Sequence, residues 1–264
     1  MNYQRIVCLS TEAVETLYAL GAEDTIAGIS GFTTRPARAR AEKPKVSGFS
    51  SSRIERILAV QPDLVIGFSD MQADICRDLA SAGVEVHLFN QRDVAGILRM
   101  VHVLAAMVGK QAAGHALVAD LQAHIDAARA QAAQWTIRPK VYFEEWNDPL
   151  ISGIGWVSEL IGIAGGEDVF PELAAHASAK ARIIADPLDV AHRAPDIIIG
   201  SWCGKKFRPE AVTGRPGWDT VPAVKEGMVA EVKSADILSP GPGAITEGLP
   251  QIAALVRQWQ ERHA

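Results

Sequence analysis

Two stretches of this chain are nearly the same. Pro62-Asp63-Leu64-Val65-Ile66-Gly67-Phe68-Ser69 returns much later as Pro195-Asp196-Ile197-Ile198-Ile199-Gly200-Ser201-Trp202. An unbroken aliphatic run closed by glycine reads as a strand buried on both faces, the kind found in parallel sheets covered by helices. A proline disfavours helical backbone just before itself, so each run follows a helix end. The first of these helices spans 52–59 with Ser52 near its N-cap; the second ends near Arg193. After the first copy come a helix over 74–81 and a strand over 84–89. After the second come a looser segment and a strand over 228–232. Ordinary α/β proteins also reuse such units. Their placement in two separate halves of 264 residues predicts two α/β lobes.

The rest of the chain extends this plan. Residues 6–9 and 26–29 read as strands with a helix over 14–20 between them. Residues 93–108 form one amphipathic segment, broken at Gly109, and 110–135 form a second. In the second, Leu117, Val118, Leu121, Ile125 and Ala128 share a face at helical spacing, and only Gly114 interrupts good helix formers. It is either a packed helix of the first lobe or a rigid strut joining two lobes. The second lobe opens with a strand over 140–144 and a helix over 157–164, stopped by Gly165-Gly166. Pro240-Gly241-Pro242-Gly243 makes a stiff turn before a last helix over 249–261. The fold expected is α/β: two Rossmann-like lobes with mostly parallel sheets, divided as 1–108, a linking helix 109–136, and 137–264.

Composition narrows the function. Nearly half the chain is hydrophobic (48%), enough for a large core, and the net charge of −5 offers no basic tract for nucleic acid. No apolar run approaches the ~20 residues that cross a bilayer. The first strand follows the N-terminus directly, without a charged, apolar and small-residue leader. The expectation is a cytoplasmic protein, or a periplasmic one whose leader was removed. Cys8, Cys76 and Cys203 are three and widely spaced, which indicates no disulfide framework. The seven histidines show no HExxH arrangement, and neither a GxSxG elbow nor a GxxxxGK loop occurs. Gly153-Ile154-Gly155 follows a strand, but Ser158 stands where a dinucleotide fingerprint needs its third glycine. Close backbone approach at a helix N-terminus explains these glycines better. No catalytic residue is assigned, and no metal held by the protein alone.

What remains is the loops at the C-terminal ends of strands, where open α/β sheets bind ligands. They offer Ser10 and Thr11, Phe32, Phe49, and Phe68 with Ser69 in the first lobe. The second lobe offers Trp146, then Trp202, Cys203, Lys205 and Lys206. One aromatic per loop among small polar neighbours suits a large, flat, partly apolar ligand. For any single aromatic, a lid packed on its own lobe is the plainer alternative. Trp156 and Trp218 are expected to be structural.

The order helix, PDLVIG, linking helix, EEWNDPLISGIGWVSELIGIAGG, PDIIIGSW and PGPGAITEGL resembles the class III, helical-backbone solute-binding proteins of ABC importers, and within them the cobalamin-binding branch. The resemblance spans essentially the whole chain. It implies a non-enzymatic monomer that holds a corrinoid between its lobes with little motion, as importer component or soluble carrier. In that group one surface glutamate per lobe docks to the permease. Glu55 matches it in the first lobe. The second-lobe position falls at Leu188, with Asp189 beside it as a shorter substitute. Cys203 becomes a possible contact of the corrinoid cobalt, with a loop filler as the alternative, and Lys205 a partner for peripheral ligand groups. A ferric siderophore or haem in the same fold, or a tetrapyrrole metal chelatase, are the other readings. The chelatase would need a cleft His or Glu pair that the sequence does not place. Siderophore binding favours clustered arginines, and the loops named offer only Arg35 and two lysines.

Overall fold

The structure is a computed structural model and describes residues 2–263. It divides into two compact units. One holds the chain up to Gln91, Ala95–Leu121 and Pro240–Pro242; the other holds Arg92–Val94, Gln122–Ser239 and the chain from Gly243 on.

In the first unit the elements are β1 (Ile6–Cys8), α1 (Thr11–Ala19), β2 (Ile26–Ser30), α2 (Ala39–Glu42), β3 (Lys45–Ser47), α3 (Ile54–Leu58), β4 (Leu64–Phe68), α4 (Ala73–Ser81), β5 (Val86–Phe89) and α5 (Val94–Met107). The five strands form one parallel sheet in the order β3-β2-β1-β4-β5. Every residue of β1 and β4 is buried, as expected for strands covered on both faces. Val7, Leu9, Val46, Ile57, Val65 and Leu79 form a core cluster.

Gly109, at φ +69°, ends α5 and lets the chain turn into α6 (Gln111–Ala132). At 1.5 Å per residue its 22 residues run about 33 Å. Leu121 and Ile125 are fully buried on the expected face. The helix passes from one unit to the other at Leu121–Gln122. Gly114 has a packing reason: a Cβ there would meet the Cβ of Ala105 on α5 at 2.4 Å.

In the second unit follow β6 (Lys140–Asn147), β7 (Leu150–Ser152), α7 (Gly155–Ile163), β8 (Glu167–Asp168), α8 (Pro171–Ala174), α9 (Leu188–Arg193), β9 (Ile197–Gly200), α10 (Pro209–Thr213), α11 (Pro222–Lys225), β10 (Val229–Glu231), α12 (Ser234–Ile237) and α13 (Leu249–His263). The sheet order is β10-β9-β6-β7, with β8 beside the start of β6; only β7 is antiparallel.

The repeat is now explained. β4 lies between β1 and β5, and β9 lies between β6 and β10, so each copy holds the same place in its sheet. Its aspartate does the same work twice. Asp63 accepts from the backbone N–H groups of Gln4 (2.7 Å) and Arg5 (3.0 Å), and its own N–H donates to Arg5 O. Asp196 accepts from Lys140 N–H (2.7 Å), and its N–H donates to Lys140 O. In both lobes the Pro-Asp pair therefore aligns the start of the neighbouring strand. The glycines clear space. A Cβ on Gly67 would crowd Gln72 and Cys76, and one on Gly200 would lie 1.8 Å from the Phe207 ring.

Several local expectations change. Ser52 does not cap α3: Arg53 holds that position without a side-chain cap, and Ser52 bridges back to Ser47 in an antiparallel pair. The short strand β3, too brief to show a periodic pattern, draws Ser52 to the sheet. Trp146 and Asn147 lie within β6 rather than in a loop, because β7 folds back and pairs with them. After Gly243 the chain makes one π-helical turn, Ala244–Gly248, before α13.

Candidate functional site

In the first unit the strand-end loops are tied together by Gln72. Its Nε2 donates to Leu9 O (3.1 Å) and Phe49 O (2.9 Å), and its Oε1 accepts from Phe68 N–H (2.8 Å). One buried amide thus joins the loops after β1, β3 and β4. Beside it Ser69 sits at φ +66°, a region costly for a residue with a Cβ, of order 1–3 kcal/mol. The surroundings hold it: its N–H donates to Phe89 O (2.8 Å) and its hydroxyl accepts from Met71 N–H (3.3 Å).

The candidate residues of this unit divide by exposure. Phe32 is 68% exposed and presents its ring at the loop after β2. That loop is braced by Thr11, whose hydroxyl donates to Phe32 O (3.4 Å) and accepts from Thr34 N–H (3.3 Å), and by Arg40, which donates to Thr33 O (3.0 Å). Phe49 is half-buried. Ser10, Thr11 and Phe68 are buried, so Thr11 shapes the Phe32 loop rather than offering a free hydroxyl.

In the second unit the site grows from the end of β6. Glu144 is wholly buried and accepts from Arg215 twice (2.6 and 2.9 Å), from Trp202 Nε1 (2.9 Å) and from Tyr142 OH (3.1 Å). Burial and the adjoining carboxylate push the Tyr142 phenol well above its usual pKa. The next residue, Glu145, pairs with the buried Arg182 at 2.7 and 3.0 Å. The sequence offered Glu145 beside Trp146 at this strand end but gave no sign that Arg182 and Arg215 pair with the two glutamates; the signal was two charges at the end of an otherwise apolar strand.

Trp202 is 3% exposed, its indole committed to Glu144 and its ring edge-on to Phe207 at 4.9 Å. It is also not the counterpart of Phe68. Counted from the shared Pro-Asp, Phe68 matches Ser201, and successive positions along an extended chain point opposite ways. The terminal aromatics of the two repeated stretches are therefore offset by one residue and hold different places in their lobes. Half-buried Trp146 is the aromatic this edge presents, with its Nε1 donating to Asp148 O (2.8 Å). Lys205 Nζ lies 5.5 Å from the Trp146 ring centre and 5.3 Å from that of Trp202, and donates to Asn147 Oδ1 (2.9 Å). Asn147 and Arg215 also border an apolar concavity of about 520 Å³ lined by Pro149, Leu150, Ile184, Pro187 and Pro216. Its volume is in the range of small-molecule sites.

Cys203 is exposed, but desolvation of its sulfur, then the charge of Glu145, raises its thiol pKa. Cys8 and Cys76 are buried and free. Among the described residues no group of three or more His, Cys, Asp or Glu is placed to hold a metal ion. No helix among them is long and apolar enough to cross a membrane.

Gly155 opens α7 where a Cβ would lie 2.6 Å from Arg92 O, the close approach expected. Trp156 and Trp218 are buried, donating to Ile237 O (2.8 Å) and Pro187 O (3.1 Å). Glu55 and Asp189 are exposed, and each is the second residue of the helix that precedes its copy of the repeated strand.

Over 172 residues the chain is 28% identical to the vitamin B12-binding protein of Vibrio campbellii, covering 63% of this chain and 61% of that one. It is 28% identical over 171 residues to the cobalamin-binding protein of Halobacterium salinarum, covering 63% and 46%. The chain thus spans about three fifths or less of these curated relatives. Among solved structures, the periplasmic vitamin B12 binding protein of Vibrio cholerae superposes with a TM-score of 0.79 at 19% identity, over 98% of both chains. A possible iron-binding, periplasmic solute-binding protein from Staphylococcus epidermidis gives 0.83 at 19%, over 97% of this chain and 99% of that one. At these identities the likeness speaks for the fold. The family model described as periplasmic binding protein matches residues 6–235, most of the chain and all ten strands, and the chain belongs to that family.

Proposed function

We infer that this protein binds a corrinoid of the cobalamin type without transforming it, as the substrate-binding component of an importer. The observation that carries the reading is the similarity to vitamin B12-binding and cobalamin-binding proteins of a bacterium and an archaeon. The loops are chemically suited to it. Phe32, Phe49 and Trp146 offer apolar faces to a flat macrocycle. Asn147 and Lys205 offer polar groups to the amides at its rim. Trp202, Phe68, Ser10 and Thr11 contribute by holding these loops in shape, and the exposed Cys203 is the thiol within reach of a ligand beside Trp202. The ligand is cargo, not a catalytic cofactor.

Glu55 and Asp189, alike in helical position, are the docking carboxylates of this reading, and the periplasm is its compartment. Loss of cobalamin uptake on Glu55→Ala with unchanged cobalamin binding supports the importer role. Unchanged uptake assigns a soluble carrier instead.

The test is tryptophan fluorescence and calorimetry with cobalamin and cobinamide, using haem and a ferric siderophore as comparators. Saturable one-to-one cobalamin binding, with quenching reduced in Trp146→Phe, is expected. Binding of haem or siderophore alone overturns the ligand assignment. Insertion of Co²⁺ into a metal-free tetrapyrrole overturns the non-enzymatic assignment.

A further inference from the structure

A second cavity lies in the first unit, at the end of edge strand β3. It measures about 430 Å³ and is lined by Lys45, Ser47, Gly48, Ser52, Arg53 and Arg56, among others. Three cations border one concavity in a chain whose net charge is −5. All three are exposed, and none has an ion-pair partner among the described residues. Glu55, between the arginines in sequence, is exposed and pairs with neither. Like charges gathered without a counter-charge repel one another, and an anion relieves that.

The hydroxyls of the same wall give a second, independent observation. The oxygens of Ser47 and Ser52 are sealed from solvent and have no hydrogen-bond partner. Buried polar atoms in native proteins rarely lack one. Both residues line the cavity. The loop is also held in shape: Ser47 and Ser52 are bridged, and Gly48 N–H donates to Ser51 O at 2.8 Å. Two guanidinium forks, one ammonium and two hydroxyls form the donor set that matches a phosphoryl group, since guanidinium pairs with its oxygens two at a time.

We propose that the cavity bordered by Lys45, Ser47, Ser52, Arg53 and Arg56 is an oxyanion site that binds a phosphoryl group carried by a small molecule in solution. Its volume leaves room for more than one phosphoryl unit or for an organic substituent. The site shares no residue with the proposed corrinoid contacts, so either reading can fail without the other.

Calorimetry and ³¹P NMR with inorganic phosphate and pyrophosphate, at ionic strength matched with sodium chloride, test it. Saturable one-to-one binding of pyrophosphate is expected, weakened about tenfold or more by Arg53→Gln or Arg56→Gln, as for loss of a charge-assisted hydrogen bond. Ser47→Ala with Ser52→Ala also weakens it. Arg77→Gln, a surface arginine outside the cavity lining and already paired with Asp74 and Asp78, leaves it unchanged. Absence of saturable binding for both anions, or full binding by the double Arg53→Gln, Arg56→Gln variant, overturns the proposal. Flotation with phosphatidylglycerol vesicles without binding of either free anion also overturns it and assigns the cluster to a lipid surface.

Discussion

At the scale of single residues, the most consequential group is Glu144. A wholly buried carboxylate is tolerable because Arg215, Trp202 and Tyr142 all donate to it. Arg215→Ala leaves that charge without its counter-ion and is expected to lower stability by about 3–5 kcal/mol, read from urea unfolding. A loss below about 1 kcal/mol contradicts this account of the cluster. The double variant Glu144→Gln, Arg215→Met should recover much of the loss, because it removes both charges together. Cys203 yields a pH prediction. Burial and Glu145 both disfavour its thiolate, so its pKa lies above that of a free cysteine. Alkylation by iodoacetamide should therefore rise with pH along a curve displaced upward from that of glutathione. A midpoint at or below glutathione's contradicts it. None of this cluster was legible in the sequence beyond the presence of Glu144-Glu145, because Arg215 and Trp202 reach the carboxylate from remote parts of the chain.

At the scale of elements, the two long helices show how a local rule and a tertiary one compete. Glycine within a helix costs roughly 1 kcal/mol relative to alanine, so Gly114→Ala should stabilise α6 taken alone. In the folded unit the new methyl meets Ala105 of α5 at 2.4 Å, too close without separating the helices. The expected outcome is a net destabilisation of about 1–3 kcal/mol, the usual range for overpacking. Ala105→Gly in the same chain should restore most of it. A stabilised Gly114→Ala variant shows instead that the helices move apart at little cost. The helices themselves were readable from apolar spacing and from the stops at Gly109 and Gly165. The short strands β3, β7 and β8 were not. Unlike the equally short β1 and β10, they lie in no apolar run longer than two residues, and only pairing with a neighbour makes them strands.

At the scale of the whole molecule, ligand binding must appear as stability. A ligand that binds only the folded chain adds about 2.7 kcal/mol at a hundredfold excess over its Kd. Cobalamin at that excess should raise the melting temperature, and haem should not; the reverse pattern reassigns the ligand. The sequence by itself determined the class of the molecule. The twin Pro-Asp strands, the Gly109 and Gly165 stops and the long amphipathic helix specify parallel α/β units, since backbone preference and apolar spacing act between near neighbours. It also determined which loops carry aromatics. Only the tertiary structure decided which of those aromatics are presented. Phe32 and Trp146 remain open, whereas Trp202 is spent on Glu144 and Phe68 is enclosed. It alone brought Lys45, Arg53 and Arg56 around one cavity, and Gln72 to three loops at once. The physical reason is the same in each case. Exposure, charge pairing and hydrogen bonding are settled by neighbours in space, and the chain brings those neighbours from positions that no sequence window contains.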